Sequence, residues 1–316
     1  MNIAQNSIPA PVTRHKPKWL MTVLRNLDLY LLLLPGVAFI LIFKYVPMYG
    51  LSIAFEKYSI FKGVTGSQWV GFDQFRRLFS SPQFYQIFGN TLMISLYKIV
   101  FIFPIPILIA VILNEIRQMA YKRVIQTVIY LPHFLSWVIV SGLVIEFLSP
   151  STGMVNHLFT MFGGKPISFL MDNHWFRSVA VISAGWKEVG YSAIIYIASI
   201  AGIDQEQYEA ARVDGASRIR QIMHITLPGL WSIILLMFIL RLGSVLEAGT
   251  EQILLLYNPT VYPSGDVIGT FVYRTGITQM DYGYSTAVGL FESVIGFILV
   301  ISGNFISKKS TGSSIW

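Results

Sequence analysis

The sequence predicts an all-α membrane protein with six transmembrane helices, and three observations carry that prediction. Hydrophobic residues make up 54% of the 316 residues and charged residues only 12%, whereas soluble domains carry about 25% charged residues. Six stretches are apolar over the roughly 20 residues that a helix needs to cross a bilayer. The sequence contains no cysteine, which excludes a disulfide framework and a thiolate metal site.

The six predicted spans divide the chain into three parts. Residues 1–28 form a polar, basic N-terminal segment that we expect to be cytoplasmic. We expect no cleavable signal there, because the first apolar stretch is too long and lacks a small-residue cleavage site. A six-span domain covers 29–306 and a cytoplasmic tail covers 307–316. The spans are predicted at 29–51, 86–113, 124–148, 178–200, 229–250 and 284–306.

The distribution of basic residues predicts the orientation of the spans. With the N-terminus inside, the cytoplasmic pieces hold more Lys and Arg than the outer pieces, as the positive-inside rule requires. This places both termini and the loop 201–228 in the cytoplasm. The net charge of +7 is then explained by basic loops, and no nucleic-acid partner is expected. Aromatic residues in the outer loop 52–85 suit either anchoring at the interface or contact with a sugar.

The loop between the fourth and fifth predicted spans has clear helix signals. Asp204 is placed to cap a helix, with Gln207 three residues later completing a capping box. Gly215 stands where a helix ends in a left-handed residue. Ser217 can cap a second helix, and Pro228 suits the first turn of the fifth span. The pattern predicts a helix, a tight glycine turn, a second helix and then the span.

The same loop combines small residues with exposed charges. Its residues alone leave open whether it is an ordinary cytoplasmic loop or a surface for a partner chain. Small side chains would let another backbone approach closely, and the charges could form ion pairs. The small residues are Ala210, Ala211, Gly215 and Ala216, and the charged ones are Glu209, Arg212, Asp214 and Arg218.

Fixed positions in this loop carry a family resemblance. The pattern consists of Glu209-Ala210-Ala211, Gly215, Ile225 and Leu227-Pro228. It resembles the signature loop of ABC importer permeases. The stretches LLLLPG, KYVPMYGLSIAF, WVGFDQFRRLF, LPHFLSWVIVSGLV and the C-terminal GSSIW are similar to the polysaccharide and oligosaccharide branch of that family.

The resemblance implies a type I ABC importer permease architecture with a cytoplasmic coupling helix at residues 205–215 that docks on an ATPase subunit. The residues implied in ATPase coupling are Glu209, Ala210, Ala211, Asp214, Gly215, Ile225, Leu227 and Pro228. The implied partners are a second permease subunit, giving a heterodimer, two ATPase subunits, an external solute-binding protein and the lipid of a bacterial inner membrane. The implied substrate is an oligo- or polysaccharide, with an alginate-like or other uronate polymer favoured over a neutral oligosaccharide.

Several motifs of catalysis are missing from the sequence. There is no phosphate-binding G-x-x-x-x-G-K-[ST] loop, no H-E-x-x-H zinc motif and no G-x-S-x-G nucleophile motif. We therefore expect no enzyme activity and no cofactor or metal bound by this chain, with ATP and Mg²⁺ held by a separate ATPase. The competing interpretations are an ion-driven secondary carrier, which needs inverted repeats, and a membrane enzyme acting on polysaccharide.

Ionisable residues within the spans are candidates for a transport pathway, because such groups usually face a cavity or a partner. Lys98, Lys187 and Arg241 fall near mid-depth of their spans, counting about 1.5 Å per residue. They either pair structurally with a neighbouring helix or bias the pathway toward an anionic sugar. Ser183, Lys187 and Tyr191 share one helix face, as Arg241, Ser244, Ala248 and Glu251 do on the fifth span. The candidate pathway residues are Lys98, Trp186, Lys187, Tyr191, Arg241 and Glu292.

Overall fold

A computed structural model describes residues 25–311, and these are mostly helical, with two short antiparallel strands, β1 (Glu56–Lys57) and β2 (Gln68–Trp69). The predicted basic segment up to residue 24 and the GSSIW motif at 312–316 lie outside the described residues. The longer helices are α1 (Leu27–Phe55), α4 (Pro82–Glu115), α5 (Met119–Phe134), α6 (Trp137–Leu148), α8 (Asn173–Ala201), α10 (Arg218–Gly243) and α14 (Tyr282–Thr311). The shorter ones are α2 (Gly63–Gly66), α3 (Asp73–Ser80), α7 (Met154–Met161), α9 (Gln205–Val213), α11 (Thr250–Leu256), α12 (Tyr262–Gly265) and α13 (Ile268–Tyr273).

Four of the described helices are long and apolar enough to cross a membrane, namely α1, α4, α10 and α14, and the bent pair α5 and α6 would make a fifth. The predicted span 178–200 lies within α8, which has 29 residues and a length of about 43 Å. That helix carries Arg177, Lys187 and Glu188, so its composition alone does not mark it as a span. A sixth span on α8 stays a prediction.

The first helix, up to Ser52, belongs to a separate unit of the chain, since internal contacts divide the protein after that residue. Within that unit, no residue of Leu27–Ile40 is buried. Leucines stand on every side of this segment, and Leu29, Leu32 and Leu34 are all exposed. A helix that is apolar all round needs an apolar environment, which fits a lipid-facing span.

The third predicted span, 124–148, is not one straight helix. The chain bends by 100° between α5 and α6. Pro132 lies in a 3₁₀ turn at the end of α5, and the Ser136 hydroxyl caps α6 by accepting from the Ile139 N–H at 3.3 Å. Because the carbonyls at the end of a helix have no partner within it, this break needs donors from elsewhere in the protein.

Three prolines inside the long helices are each preceded by one wide π turn. Proline lacks an N–H, and its ring clashes with the carbonyl four residues earlier; the wider turn relieves that clash without ending the helix. The π segments Leu41–Tyr45, Lys98–Ile102 and Ile222–Thr226 end two residues before Pro47, Pro104 and Pro228. As a result, the predicted second loop helix and the fifth span form one continuous helix, α10.

The segment after α10 differs most from the prediction. The span predicted at 229–250 ends at Gly243, so Arg241, Ser244, Ala248 and Glu251 do not share one helix face. The chain turns through two left-handed residues, Ala248 (φ 48°) and Gly249 (φ 82°). The predicted outer loop 251–283 is then largely helical and packs α11 to α13 into the bundle, where Ile253, Val261 and Ile268 are fully buried.

The two hydrophobic clusters beside this segment hold it in place. One joins Leu78 and Ile87 to Ile268 and Val288, so it links α3, α4, α13 and α14. The other packs Ile253 and Val267 around Phe176 of α8. Full burial of a side chain of this size contributes about 1.5–3 kcal/mol. The segment 244–281 is therefore part of the protein core.

Candidate functional site: the exposed loop and the charged cavity

The loop helix α9 is defined at both ends by its own sequence. The Asp204 carboxylate accepts the Glu206 N–H at 3.0 Å, which confirms the predicted cap. The predicted capping box is wrong, because no bond from the Gln207 side chain closes it in the described chain. At the other end Gly215 is left-handed, with φ of 73°, as predicted. The Ala216 N–H bonds to the Ala211 carbonyl at 2.8 Å, which closes a Schellman motif.

The outer face of this loop is unpartnered within the described chain. No residue of α9 is buried, and the small residues Ala210 and Ala211 lie on it. Glu209 and Asp214 are exposed and form no ion pair among the described residues. Apolar side chains accompany them, with Val213 87% exposed and Ile219 74% exposed. Exposed apolar side chains beside unpaired acidic groups leave this face of the loop open to contact with another protein.

Three contacts fix the loop to the membrane helices. The Tyr208 hydroxyl and the Thr226 hydroxyl form a hydrogen bond of 2.9 Å. Arg218 and Glu115, at the end of α4, form a salt bridge of 3.5 Å. The Gln221 amide donates to the Ala216 carbonyl at 2.9 Å. The predicted loop residues Ile225, Leu227 and Pro228 lie in α10 on both sides of Thr226.

An open cavity of about 270 Å³ lies between α4, α8 and α10. Two of the predicted pathway residues, Lys98 and Arg241, line it together with Glu188. Trp186, Lys187, Tyr191 and Glu292 are not among its lining residues. The others that line it are Ile102, Phe103, Pro106, Ser192, Ile195, Tyr196, Met237, Leu240 and Ser244.

Lys98 is buried at the wall of this cavity and is held by neutral oxygens. Its ammonium group donates to the Ala248 carbonyl at 3.0 Å and to the Gln252 amide oxygen at 2.8 Å. The Gln252 amide nitrogen in turn donates to Ala180 and Ser183, each at 2.7 Å. Two of the three N–H groups of the Lys98 ammonium are therefore engaged in hydrogen bonds within the protein. Gln252 was not a candidate, although an amide beside the apolar run ILLL was a signal for it.

Arg241 differs from Lys98 in its bonding. Its guanidinium group forms no hydrogen bond or ion pair among the described residues, and it is half-buried. A guanidinium group has five N–H donors, so Arg241 presents an unoccupied cationic donor to the cavity. A carboxylate can accept two parallel hydrogen bonds from such a guanidinium group.

Lys187 and Tyr191 lie at the break in the third span and not at the cavity. The Lys187 ammonium donates to the carbonyls of His133 (2.8 Å) and Leu135. The Tyr191 ring stacks on the His133 ring, with centroids 3.8 Å apart and planes 2° from parallel. A cation at the end of a helix is favourable for the helix dipole. Lys187 thus supplies donors that the end of α5 lacks.

Replacing Lys187 by methionine is expected to destabilise the break between α5 and α6. Methionine keeps a long unbranched side chain, one atom shorter than that of lysine, but leaves the carbonyls of His133 and Leu135 without their donor, at about 1–3 kcal/mol for an unsatisfied buried group. A lower thermal midpoint in detergent would show this. Lys165→Met, at an exposed site, is the control. Equal midpoints for the two variants would contradict the structural role.

The last two pathway candidates lie elsewhere. Trp186 lines an apolar groove with Leu143, Phe147 and Phe159, which is a different surface of α8 from the one that carries Glu188. Glu292 is half-buried on α14. The structure therefore brings together two of the six predicted pathway residues.

Comparison with known proteins identifies the family. A family model described as "Binding-protein-dependent transport system inner membrane component" matches residues 102–311. Protein LplB of Bacillus subtilis (strain 168) is 48% identical over 291 residues, with 92% of each chain covered. The polygalacturonan/rhamnogalacturonan transport system permease protein YteP of the same organism is 44% identical, with 93% of this chain and 92% of YteP covered.

Solved structures agree with these relatives. A bacterial ABC transporter involved in the import of the acidic polysaccharide alginate contains a chain that is 42% identical, with a TM-score of 0.87, over 93% of this chain and 100% of that one. A chain of a bacterial alginate ABC transporter in complex with an alginate pentasaccharide-bound periplasmic protein is 41% identical, with a TM-score of 0.88, over 95% and 100% of the two chains. The resemblance to sugar ABC permeases is confirmed, and this chain belongs to the family of binding-protein-dependent transport system inner membrane components, as a permease subunit and not an enzyme.

Proposed function

We propose that this chain is one of two different membrane subunits of an ATP-driven importer of acidic oligo- or polysaccharide. An external binding protein delivers the saccharide, and two ATPase subunits on the cytoplasmic side hydrolyse ATP with Mg²⁺. The chain crosses the membrane six times, with α8 as the fourth span and both termini in the cytoplasm. The named substrates of its relatives support the substrate class, because polygalacturonan, rhamnogalacturonan and alginate are all acidic.

The observation that carries the proposal is the exposed helix α9, which acts as the coupling helix. It is closed at both ends, unburied on its outer face and bonded to α10 through Tyr208 and Thr226. A rigid helix attached to a span can transmit movement from a docked ATPase, whereas a flexible loop would absorb it. Closure of the two ATPases on ATP then moves α10 and switches the spans between inward-open and outward-open states.

Copurification tests this assembly. A permease subunit retains its ATPase subunits in a fixed ratio after solubilisation, whereas an ion-driven carrier or a membrane enzyme purifies without them. We expect nucleotide-dependent access of the cavity residue Ser192 to a thiol reagent in a Ser192→Cys variant of the complex, since the chain has no cysteine of its own. A rate of thiol modification that is the same with and without nucleotide would contradict ATP-driven switching.

The cavity between α4, α8 and α10 supports the acidic substrate. Lys98 and Arg241 both line it, and only Glu188 opposes them among the lining residues. Because Arg241 has unoccupied hydrogen-bond donors, it can bind a sugar carboxylate as the saccharide passes through the cavity. A neutral oligosaccharide is the second candidate, favoured by the arabinooligosaccharides transport system permease protein AraP of Bacillus subtilis (strain 168), which is 26% identical.

Arg241→Gln distinguishes the two candidates. Glutamine keeps hydrogen-bonding capacity but removes the charge, so uptake of trigalacturonate should fall by about tenfold or more, the effect of losing a bond to a charged group. Uptake of a neutral trisaccharide and retention of the ATPase should not change. Arg76→Gln, at a position where the side chain is 80% exposed, is the control. Equal uptake by Arg241→Gln and wild type would favour the neutral substrate.

A further inference from the structure

A second polar pocket lies at the end of the bundle opposite to the α9 loop. The end of α4 touches the loop through the Glu115–Arg218 salt bridge. The start of α4, at Pro82, is about 50 Å away along a helix of 34 residues. Here α3, α4, α13 with its following π turn, and α14 enclose an open pocket of about 380 Å³. In the proposed orientation this pocket opens to the outside of the cell.

The lining of this pocket is cationic and rich in hydrogen-bonding groups. It contains two arginines, two serines, two glutamines and a threonine, and none of its nine lining residues is acidic. Carboxylates behind the lining hold both arginines: Arg77 bonds to Asp281 at 2.6 Å, and Arg274 bonds to both oxygens of Asp266 at 3.1 and 2.6 Å. The pairing with Asp281 engages a single N–H group of Arg77, so the remaining N–H groups of that guanidinium form no hydrogen bond in the described chain.

Both arginines are fixed before any ligand arrives. The Arg77 guanidinium lies over the Tyr284 ring at 4.1 Å, and that of Arg274 over the Tyr262 ring at 4.6 Å. Burial opposes the charge of Arg274, but the Asp266 bonds outweigh burial and raise its pKa above the usual value. Cations that are held in place bind an anion without the cost of ordering long side chains.

Thr275 provides an independent observation that points to a ligand. Its side chain lines the pocket, yet the residue is only 2% exposed. The Thr275 hydroxyl has no hydrogen-bond partner among residues 25–311. A buried polar group without a partner is costly, and a ligand bound in this pocket would supply the missing partner.

We propose that this pocket is an external subsite that binds one uronate unit of the saccharide, an inference that rests on the proposed import of acidic saccharide. The sugar carboxylate bonds to the free N–H groups of Arg77, in the geometry that guanidinium groups offer to carboxylates. A sugar hydroxyl bonds to Thr275, and the amides of Gln83 and Gln279 bond to the remaining hydroxyls. The subsite receives the saccharide before it reaches the cavity at Lys98 and Arg241.

Thr275→Val tests the subsite through opposite effects on binding and stability. Valine has nearly the same shape but lacks the hydroxyl. Binding of trigalacturonate or an alginate trisaccharide to the importer complex in lipid nanodiscs, measured at equilibrium, should weaken about tenfold. The thermal midpoint of the variant should be unchanged or higher, because an unsatisfied buried hydroxyl is removed. Thr278→Val, an exposed site on the same π turn outside the lining, should bind like wild type.

Charge at the rim gives a second, independent test. Gln83 is exposed and lines the pocket, so its replacement does not threaten folding. Gln83→Glu should weaken binding of the acidic trisaccharides several-fold and Gln83→Lys should strengthen it, while Gln68→Glu, on β2 (Gln68–Trp69) and outside the pocket, should do neither. A neutral trisaccharide should show no such dependence.

The outcomes separate this inference from the proposed function. If wild type imports acidic saccharide but Thr275→Val and the Gln83 variants bind it as wild type does, the subsite is overturned and the function stands. If wild type imports only neutral saccharide, the acidic substrate itself is wrong. If the variants lose stimulation by the loaded binding protein but still bind free trisaccharide normally, the pocket recognises an acidic side chain of that protein, which also overturns the subsite.

Discussion

Gly190→Ala is expected to prevent the membrane helices from assembling. A Cβ atom at this position of α8 would lie 1.9 Å from the backbone oxygen of Ile129 in α5. Adding a methylene to a packed interior typically costs about 1–3 kcal/mol, and here the obstacle is backbone that cannot rotate away, so we expect a loss of at least about 3 kcal/mol. Close approach of two backbones at a small residue is a common way for membrane helices to pack. The yield of monodisperse protein on size exclusion and its thermal midpoint measure the loss.

Gly185→Ala is the matched control, because it adds the same methyl group to the same helix five residues earlier. There the new Cβ would meet only the Ile102 side chain, at 3.6 Å, which is an ordinary contact. Both substitutions raise helix propensity by the same amount, so any difference between them reports packing. Comparable yields and midpoints for the two variants would show that α5 and α8 do not approach as closely as the structure has it.

The loop at 201–228 could be predicted from sequence because its signals act locally. Three residues of this loop act as predicted, each on backbone groups only a few residues away. Asp204 and Ser217 cap helices, and Gly215 adopts the left-handed conformation that ends α9. The apolar spans are predictable for a similar reason, since length and composition alone decide whether a segment can cross a bilayer. The fifth span is the exception: its helix begins at Arg218, eleven residues before the predicted start at 229, because Pro228 sits inside the helix instead of at its start.

The break in the third span could not be predicted in the same way. Pro132 stands at the break, but Pro47 and Pro104 stand in helices that continue past them. What distinguishes the break is a donor from far along the chain, Lys187, which bonds to the carbonyls that α5 leaves open. No local pattern contains that information, because the donor lies more than 50 residues away.

The sequence predicts the depth at which the charged residues of the cavity lie, but it does not predict which residues bond to them. Helical rise places Lys98, Lys187 and Arg241 at one level, and two of these three do line one cavity. Which side of α8 faces the cavity depends on how the helices pack, and Lys187 turns to the other side. The sequence predicts an outer loop from residue 251 onward and so does not place Gln252 beside Lys98, to which it bonds; α11 instead folds back into the bundle.

Glu209→Lys is expected to uncouple the permease from its ATPase. Under the proposed function, α9 docks on the ATPase subunit, and Glu209 is exposed with no ion pair inside the described chain. Reversing the charge places an ammonium group opposite a partner surface that is complementary to a carboxylate. Two like charges that face each other across an interface cost several kcal/mol. We expect ATPase association to weaken about 100-fold and saccharide uptake to be lost, while the permease folds normally because lysine is as good a helix former as glutamate.

Glu206→Lys is the control for damage to the helix itself. Glu206 lies in the first turn of α9, where a negative charge favours the helix dipole by about 0.3–1 kcal/mol. Reversal there disturbs the helix more than reversal at Glu209 does. If Glu209→Lys acts through docking, it should reduce ATPase retention and uptake far more than Glu206→Lys. Equal losses in the two variants would assign the effect to helix stability, and full uptake in Glu209→Lys would remove α9 from the route by which ATP hydrolysis reaches the spans.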